Sequence, residues 1–341
     1  MNAVRFHHQG PPEVLQYEET PDPVPGRGEV LVRVRAASLN RLDVWVRSML
    51  PNITLPHILG SDGAGEVLAV GDGVTAVHIG QRVAILPAIF CGVCDHCLAG
   101  EQTVCDCFQL LGRHRDGTYA ELLVVPPTNL YPIPDAITYE ETAAMPVTFL
   151  TAWHMLITRA GLQAGETVLI VGASGGLGTA AIQIAKLAGA RIIATAGTDE
   201  KATRLMTLGV DHVVHYHTQQ IPEEVLQFTL GKGVDVAFEH VGPATLPQSL
   251  QSLRSGGRLV ICGAATGPTA SIPIREFYSR QLSIIGSMAG TPLEFGSIIQ
   301  LAGEGKLRPV IDRVLPLSHA AEAHRLMEAG QVFGKIVFVP D

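Results

Sequence analysis

Residues 168–187 read VLIVGASGGLGTAAIQIAKL, an apolar run that passes into a helix-like stretch through glycines at 172, 175, 176 and 178. Glycines at a strand-to-helix turn let the backbone approach a pyrophosphate, whose charge then sits against the amides and dipole of the helix N-terminus. The same glycines can serve close helix–strand packing with no ligand, so the surrounding pattern decides between the two. The spacing is A-x-G-x-x-G, with Ala173 at the position that is Gly in the strict fingerprint. Ala173, Gly175, Gly176, Leu177 and Gly178 are the candidate residues of this turn.

Downstream the context is supplied. Strand-like runs ARIIATA (190–196), DHVVHY (211–216), DVAFEHV (235–241), GRLVICG (257–263) and LSIIGS (282–287) alternate with helical stretches, one starting at Asp199. Buried strands alternating with helices predict a parallel, doubly wound sheet. Upstream, EVLVRVRA (29–36), GEVLAV (65–70), QRVAIL (81–86) and YAELLVV (119–125) are short β-like runs between turn signals, which describe a β-rich, loop-rich module. From about Ala289 the chain returns to helix and turn and ends in KIVFVP, a strand expected to complete the first module. The fold class is therefore α/β, a β-rich module plus a Rossmann-type doubly wound parallel sheet. The expected boundaries are 1–147 with 289–341 for the first and 148–288 for the second.

Which dinucleotide is bound depends on the end of the second strand, where an acid accepts from the ribose 2′-hydroxyl of NAD. Here the strand ends Ala194-Thr195-Ala196-Gly197. With Ala196 in the acid's place nothing repels a 2′-phosphate, and Lys201 could neutralise one, which favours NADP(H). Asp199 and Glu200 are alternative ribose contacts, and Lys201 could equally be a solvated helix lysine. Thr198 beside Gly197, and Gly263 at the end of GRLVICG, complete the cofactor candidates.

Cys91, Cys94, Cys97 and Cys105 lie in ILPAIFCGVCDHCLAGEQTVCDCF. Thiolates so spaced can wrap a loop around one tetrahedral Zn²⁺ with all four positions filled, which makes such a site structural. Four unliganded thiols this close would be prone to oxidation. Cys107 and Cys262 are read as structural.

The bulk properties exclude several classes. The 341 residues exceed what one hydrophobic core usually organises, and 47% hydrophobic with 16% charged residues describes an ordered chain. A formal net charge of -8 without a basic run gives no footprint for nucleic acid or anionic membranes. MNAVRFHHQGPPEV lacks the basic start and apolar stretch of a signal peptide, and no apolar run is long enough to span a bilayer. Six cysteines, four of them clustered, suit a metal site in a reducing compartment. The expectation is a cytoplasmic protein with a small-molecule substrate.

A β-rich module carrying a four-cysteine lobe at 91–105, followed by a Rossmann domain, resembles the zinc-containing alcohol dehydrogenases, the medium-chain dehydrogenase/reductase superfamily. The resemblance covers nearly the whole chain and implies that the first module is a GroES-like catalytic domain. That family holds its catalytic zinc with a Cys in an early loop, a His-Glu pair in G-H-E-x-x-G, and a later Cys. At those places stand Asn40 in SLNRLD, Ser61-Asp62 in GSDGAG, and about Val147 in MPVTFLTA. Hard oxygens hold Zn²⁺ weakly, so one structural zinc and no catalytic zinc are expected. Asn40 with Asp43, and G-S-D-G-A-G, are similar to the zinc-free quinone oxidoreductase branch. There the 2′-phosphate is bound by residues that match Gly197, Lys201 and Tyr216, while an arginine of that branch falls on about Gly330. The cysteine lobe is absent from typical members of that branch, so the chain combines two patterns.

Without a Lewis acid, hydride transfer needs an already electrophilic substrate such as a quinone or an α,β-unsaturated carbonyl. The oxygen left anionic needs hydrogen-bond donors. The resemblance places Asn40, Ser61 and Thr148 near the nicotinamide. Trp45 is expected as an apolar wall and Asp62 as a pocket residue. Asp43 either orients Asn40 or caps the following helix, and for Asn40 and Asp43 together helix capping alone is an equal alternative. Three functions are compatible: an NADPH-dependent quinone or enone reductase, an alcohol or carbonyl dehydrogenase with a rebuilt metal site, and a dinucleotide-binding protein without turnover, as in lens crystallins that resemble quinone oxidoreductases. A homodimer or homotetramer is expected, because Leu282–Ser287 resembles the sheet-edge strand through which family members pair.

Overall fold

The computed structural model describes all 341 residues. They divide into two compact units, one formed by Met1–Leu150 with Gly290–Asp341 and the other by Thr151–Ala289. No helix is long and apolar enough to cross a membrane.

The second unit is a six-stranded parallel sheet. Its strands lie in the order His212–His215, Arg191–Ala196, Thr167–Ile170, Val234–Glu239, Leu253–Ile261, Ser283–Gly286. Numbered along the chain this is 3-2-1-4-5-6, the doubly wound order in which direction reverses between the first and fourth strands. The strands are apolar because helices cover both faces: Leu169, Val171, Ile193, Val214, Val234 and Leu259 share one core. The fifth strand begins at Leu253, upstream of GRLVICG, where its pairing with Val234 precedes an irregularity in register. Ser283–Gly286 is an edge strand with its isoleucines half-buried.

The first unit is built on a seven-stranded sheet that runs Leu130–Pro132, Arg82–Ile85, Asp62–Val70, Val30–Ser38, Lys335–Val339, Ile311–Pro316, with Leu122–Val125 also pairing to Val30–Ser38. In Val30–Ser38 the valines alternate with exposed Arg33 and Arg35, the period-2 signature of a strand with one face on a core. KIVFVP does complete this sheet: Val337 pairs with Ser38, and Ile336 and Phe338 join the core of the N-terminal strands. The strand Ile311–Pro316 is not evident in the sequence. Its residues are half-buried or exposed and it ends in proline, so it carries neither a continuous apolar run nor a clean alternation.

The register of this sheet gathers polar residues at one end. Ser38 lies opposite Asp62 on one side and Val337 on the other, so the residue at the head of the last strand, Lys335, is brought to the same end.

Candidate functional site

The helix Gly176–Leu187 starts where the first parallel strand ends, with Gly175 as its N-cap. Gly172 adopts φ +62, a left-handed conformation open to glycine. At Gly178 a Cβ would stand 2.6 Å from the carbonyl carbon of Ala173, so these two residues are buried against each other and set the helix–strand approach. Gly175, by contrast, faces open space, with Gly172 O at 3.8 Å as its near neighbour. Ser174, Gly175, Gly176 and Leu177 are partly exposed, leaving the first amides of a twelve-residue helix free to meet a phosphate. The turn therefore fits a pyrophosphate at the first amides of the helix, those of Gly176 and Leu177, while the Gly175 N–H is taken by Gly172 O at 3.3 Å and Ala173 and Gly178 set the helix–strand approach.

Arg191–Ala196 ends at Gly197. Thr198 caps the helix Asp199–Thr207, its hydroxyl accepting from the Lys201 backbone N–H at 3.2 Å. A Cβ on Gly197 would stand 2.8 Å from Tyr216 Cζ and 3.3 Å from His217 Nε2. Thus Gly197 and Tyr216 come together as expected, and His217 is an addition that sequence reasoning missed. Gly263 follows the strand Leu253–Ile261 and packs where a side chain would meet His240 O at 2.6 Å, which makes it a packing glycine.

In the first unit, the sulfurs of Cys91, Cys94, Cys97 and Cys105 all lie within 4.8 Å of one another. Cys91 Sγ is 3.9 Å from Cys97 Sγ and 3.6 Å from Cys105 Sγ. Four thiolates about 2.3 Å from a tetrahedral ion stand about 3.8 Å apart, so the cluster suits such an ion. The backbone N–H groups of Cys91 and Cys107 point at Cys105 Sγ, and that of Cys94 at Cys91 Sγ, each at 3.4 Å. Such donors favour the charged thiolate that a metal needs.

The third assembly surrounds Asp62, which is fully buried. Its Oδ2 accepts from Lys335 Nζ at 2.9 Å, Asn40 Nδ2 at 2.8 Å and Ser38 Oγ at 3.0 Å; its Oδ1 accepts from the Val147 backbone N–H at 2.7 Å. Lys335 Nζ gives its other two hydrogens to Asn40 Oδ1 at 2.6 Å and Leu39 O at 2.7 Å. A buried charge survives when it is paired and hydrogen-bonded: all three Lys335 hydrogens are used and both Asp62 oxygens accept, with the one Ser38 proton shared between Asp62 Oδ2 and Ala143 O at 2.8 Å.

Three expectations are corrected by this geometry. Asp62 is not an open pocket carboxylate, because it is sealed from solvent and Lys335, Asn40 and the Val147 N–H already occupy its oxygens. Ser61 is sealed from solvent and its hydroxyl donates to Leu111 O at 2.8 Å; Thr148 donates to the carbonyls of Ala144 at 3.1 Å and Met145 at 3.3 Å. Their single protons are committed to backbone, so neither is a donor for a substrate oxygen. Trp45 is half-buried on the helix Arg41–Ser48.

Asp43, in the first turn of that helix, is wholly buried; its Oδ2 accepts from the Asn40 backbone N–H at 2.8 Å and from the Tyr119 hydroxyl at 3.1 Å. It caps the helix and is sealed from solvent. Burial pushes its carboxyl up to about 7, against the opposing pull of the Asn40 N–H and Lys335. The ordinary value is 3.8, so between those pH values the folded chain holds a proton that the unfolded chain has released. Stability from this group is present below about pH 4 and is lost as pH rises through 7. Asp43→Asn, which cannot ionise, should therefore gain stability relative to the parent between pH 5 and pH 8, read by urea unfolding at both; a pH-independent difference would contradict the buried proton.

Comparisons with known proteins settle the family. Residues 26–135 match the alcohol dehydrogenase GroES-like domain and residues 176–304 the zinc-binding dehydrogenase domain. The chain is 32% identical to the acryloyl-coenzyme A reductase of Metallosphaera sedula, over 98% of both chains. The protein is a medium-chain dehydrogenase/reductase. It is also 33% identical to the quinone oxidoreductase of Pseudomonas aeruginosa over 99% of both chains, and it superposes on a crystal structure of an NAD-dependent alcohol dehydrogenase with TM-score 0.96 and 46% identity over the full length of each. As a medium-chain dehydrogenase/reductase it is an NAD(P)-dependent oxidoreductase. A nicotinamide held by this chain would supply hydride chemistry; the protein's task is to hold it and the substrate and to manage charge and protons.

Proposed function

We propose that this chain reduces quinones or α,β-unsaturated carbonyls with NADPH, with one structural zinc held by Cys91, Cys94, Cys97 and Cys105 and no metal at Asn40, Ser61 and Asp62. The observation that carries the reading is the Asp62–Lys335 pair. At the place of the family's His-Glu pair this chain carries Ser61 and Asp62, and the Asp62 carboxylate is already paired with the chain's own Lys335 ammonium.

A reduced nicotinamide held here would supply hydride to the electrophilic carbon and be left as NADP⁺, the electron pair of the double bond would move to the carbonyl oxygen, and a proton from solvent would complete the product. The first amides of Gly176–Leu187 take the pyrophosphate. Gly197, Lys201 and Tyr216 take the 2′-phosphate, a preference supported by Ala196 in the acid's place. Asn40 remains as the donor for the developing oxygen charge. A second reading, an alcohol or carbonyl dehydrogenase using NAD, is favoured by the 46% identity to the NAD-dependent alcohol dehydrogenase. The edge strand Ser283–Gly286 is proposed to pair with a second copy, and the cytoplasm is the proposed compartment.

Purified protein assayed with NADPH and NADH against a quinone, an enone and a simple ketone separates the readings. Turnover of the quinone or enone with a higher kcat/KM for NADPH, at one zinc per chain, is expected. Ketone or alcohol turnover with NAD and two metals per chain would establish the second reading.

A further inference from the structure

The buried ammonium of Lys335 does more than neutralise Asp62. It also donates to Asn40 Oδ1 at 2.6 Å, while Asn40 Nδ2 donates one hydrogen to Asp62 Oδ2 at 2.8 Å. The carboxamide is thereby gripped at both ends. Its orientation is set, and the second Nδ2 hydrogen makes no bond within the protein. Asp62 is sealed, all three Lys335 hydrogens are taken, and the second Asn40 Nδ2 hydrogen is the donor of the triad left without a partner in the protein.

We propose that Lys335 is a positioning residue that polarises Asn40 for catalysis. A cation on the carboxamide oxygen draws electron density from the nitrogen and strengthens its remaining N–H as a donor, as in any hydrogen-bond chain in a low-dielectric interior. Asp62 holds the other amide hydrogen and is the lysine's counter-charge. The chain Lys335–Asn40 thus delivers to an oxyanion, through a neutral group, part of the field that a metal ion would supply. The inference rests on the reading of Asn40 as the donor to the substrate oxygen.

Removing the lysine alone would strand a buried carboxylate. The test therefore uses the neutral pair Asp62→Asn/Lys335→Met, since replacing a buried ion pair as a whole is commonly tolerated, together with Lys335→Arg and Asn40→Ala. In quinone or enone reduction, the double variant should lose about tenfold or more in kcat with KM little changed. Lys335→Arg, which keeps a cation at the carboxamide, should retain more kcat than the double variant. Substituted phenols, as inhibitors that carry a phenolate-like oxygen, should bind the parent more tightly as they become more acidic, and this dependence should flatten in the double variant.

If Asn40→Ala keeps its kcat, the reading of Asn40 falls and the inference with it. If Asn40→Ala loses kcat while the double variant keeps it, the donor stands and the role of Lys335 is overturned. Equal losses in Lys335→Arg and the double variant, with the phenol dependence intact, would likewise reduce Lys335 to a structural counter-ion.

Discussion

Asp62→Ala is expected to destabilise the first unit by about 3–5 kcal/mol, the usual cost of leaving a buried charge without its partner. The substitution strands Lys335 with two neutral acceptors, Leu39 O and Asn40 Oδ1. It also removes the acceptor of Ser38, Asn40 and the Val147 N–H. Ser38 retains Ala143 O at 2.8 Å as an alternative, so its loss is partial; the Val147 N–H has no such recourse. Asp62→Asn keeps one oxygen as an acceptor but turns its amide N–H toward groups that are themselves donors and leaves Lys335 without a counter-charge; its cost should fall between the parent and Asp62→Ala. Urea unfolding followed by tryptophan fluorescence orders the three proteins, since Trp45 lies on the helix that Asn40 caps. A cost below about 1 kcal/mol for Asp62→Ala would mean that the pair behaves as an exposed ion pair does, contrary to its burial.

The reach of sequence reasoning ends at this network. The doubly wound sheet is legible because its parallel strands are buried on both faces and read as apolar runs, and its phosphate turn because glycine spacing reports backbone geometry directly. The cysteine cluster is legible because its ligands sit on one short loop. Asp62 and Lys335 are separated by most of the chain and meet through strand register, with Ser38 as the bridge between Asp62 and the C-terminal strand. A signal exists: a lysine heading the apolar run KIVFVP, in a strand expected to lie inside the sheet, needs a counter-charge. Ser61 and Thr148 mislead for a related reason. A hydroxyl's single proton goes to whichever acceptor the fold presents, and in both cases that acceptor is a nearby backbone carbonyl, invisible in composition or spacing. Asp43 is ambiguous in sequence between capping and chemistry, and its complete burial beside Tyr119 favours capping. His217 has no signal in any motif, because its approach to Gly197 depends on the turn after His212–His215.

Cys94→Ser should release metal from the lobe while leaving the parallel-sheet unit intact, because Cys94 belongs to the first unit and the phosphate turn to the second. A serine oxygen is a far poorer partner for zinc than a thiolate, and three sulfurs leave a coordination position open to water and exchange. Cys91 Sγ stands 3.9 Å from Cys97 Sγ and 3.6 Å from Cys105 Sγ, separations at which thiolates repel unless a cation lies between them. Without the ion, the loop around Gly92, held at φ +74, has little apolar packing to keep it: Val93, Leu98 and Val104 are all exposed. Metal ligation supplies folding free energy directly, so the expected result is zinc well below one per chain by elemental analysis, faster proteolysis confined to residues near 91–107, and dinucleotide affinity unchanged. Two controls sharpen the outcome. Cys107→Ser, beside the cluster but outside the set of four, should keep the metal, and a chelator should drive the parent toward the protease sensitivity of Cys94→Ser. Full zinc content and parent-like protease resistance in Cys94→Ser would remove the structural-zinc assignment, whatever the spacing of the thiols.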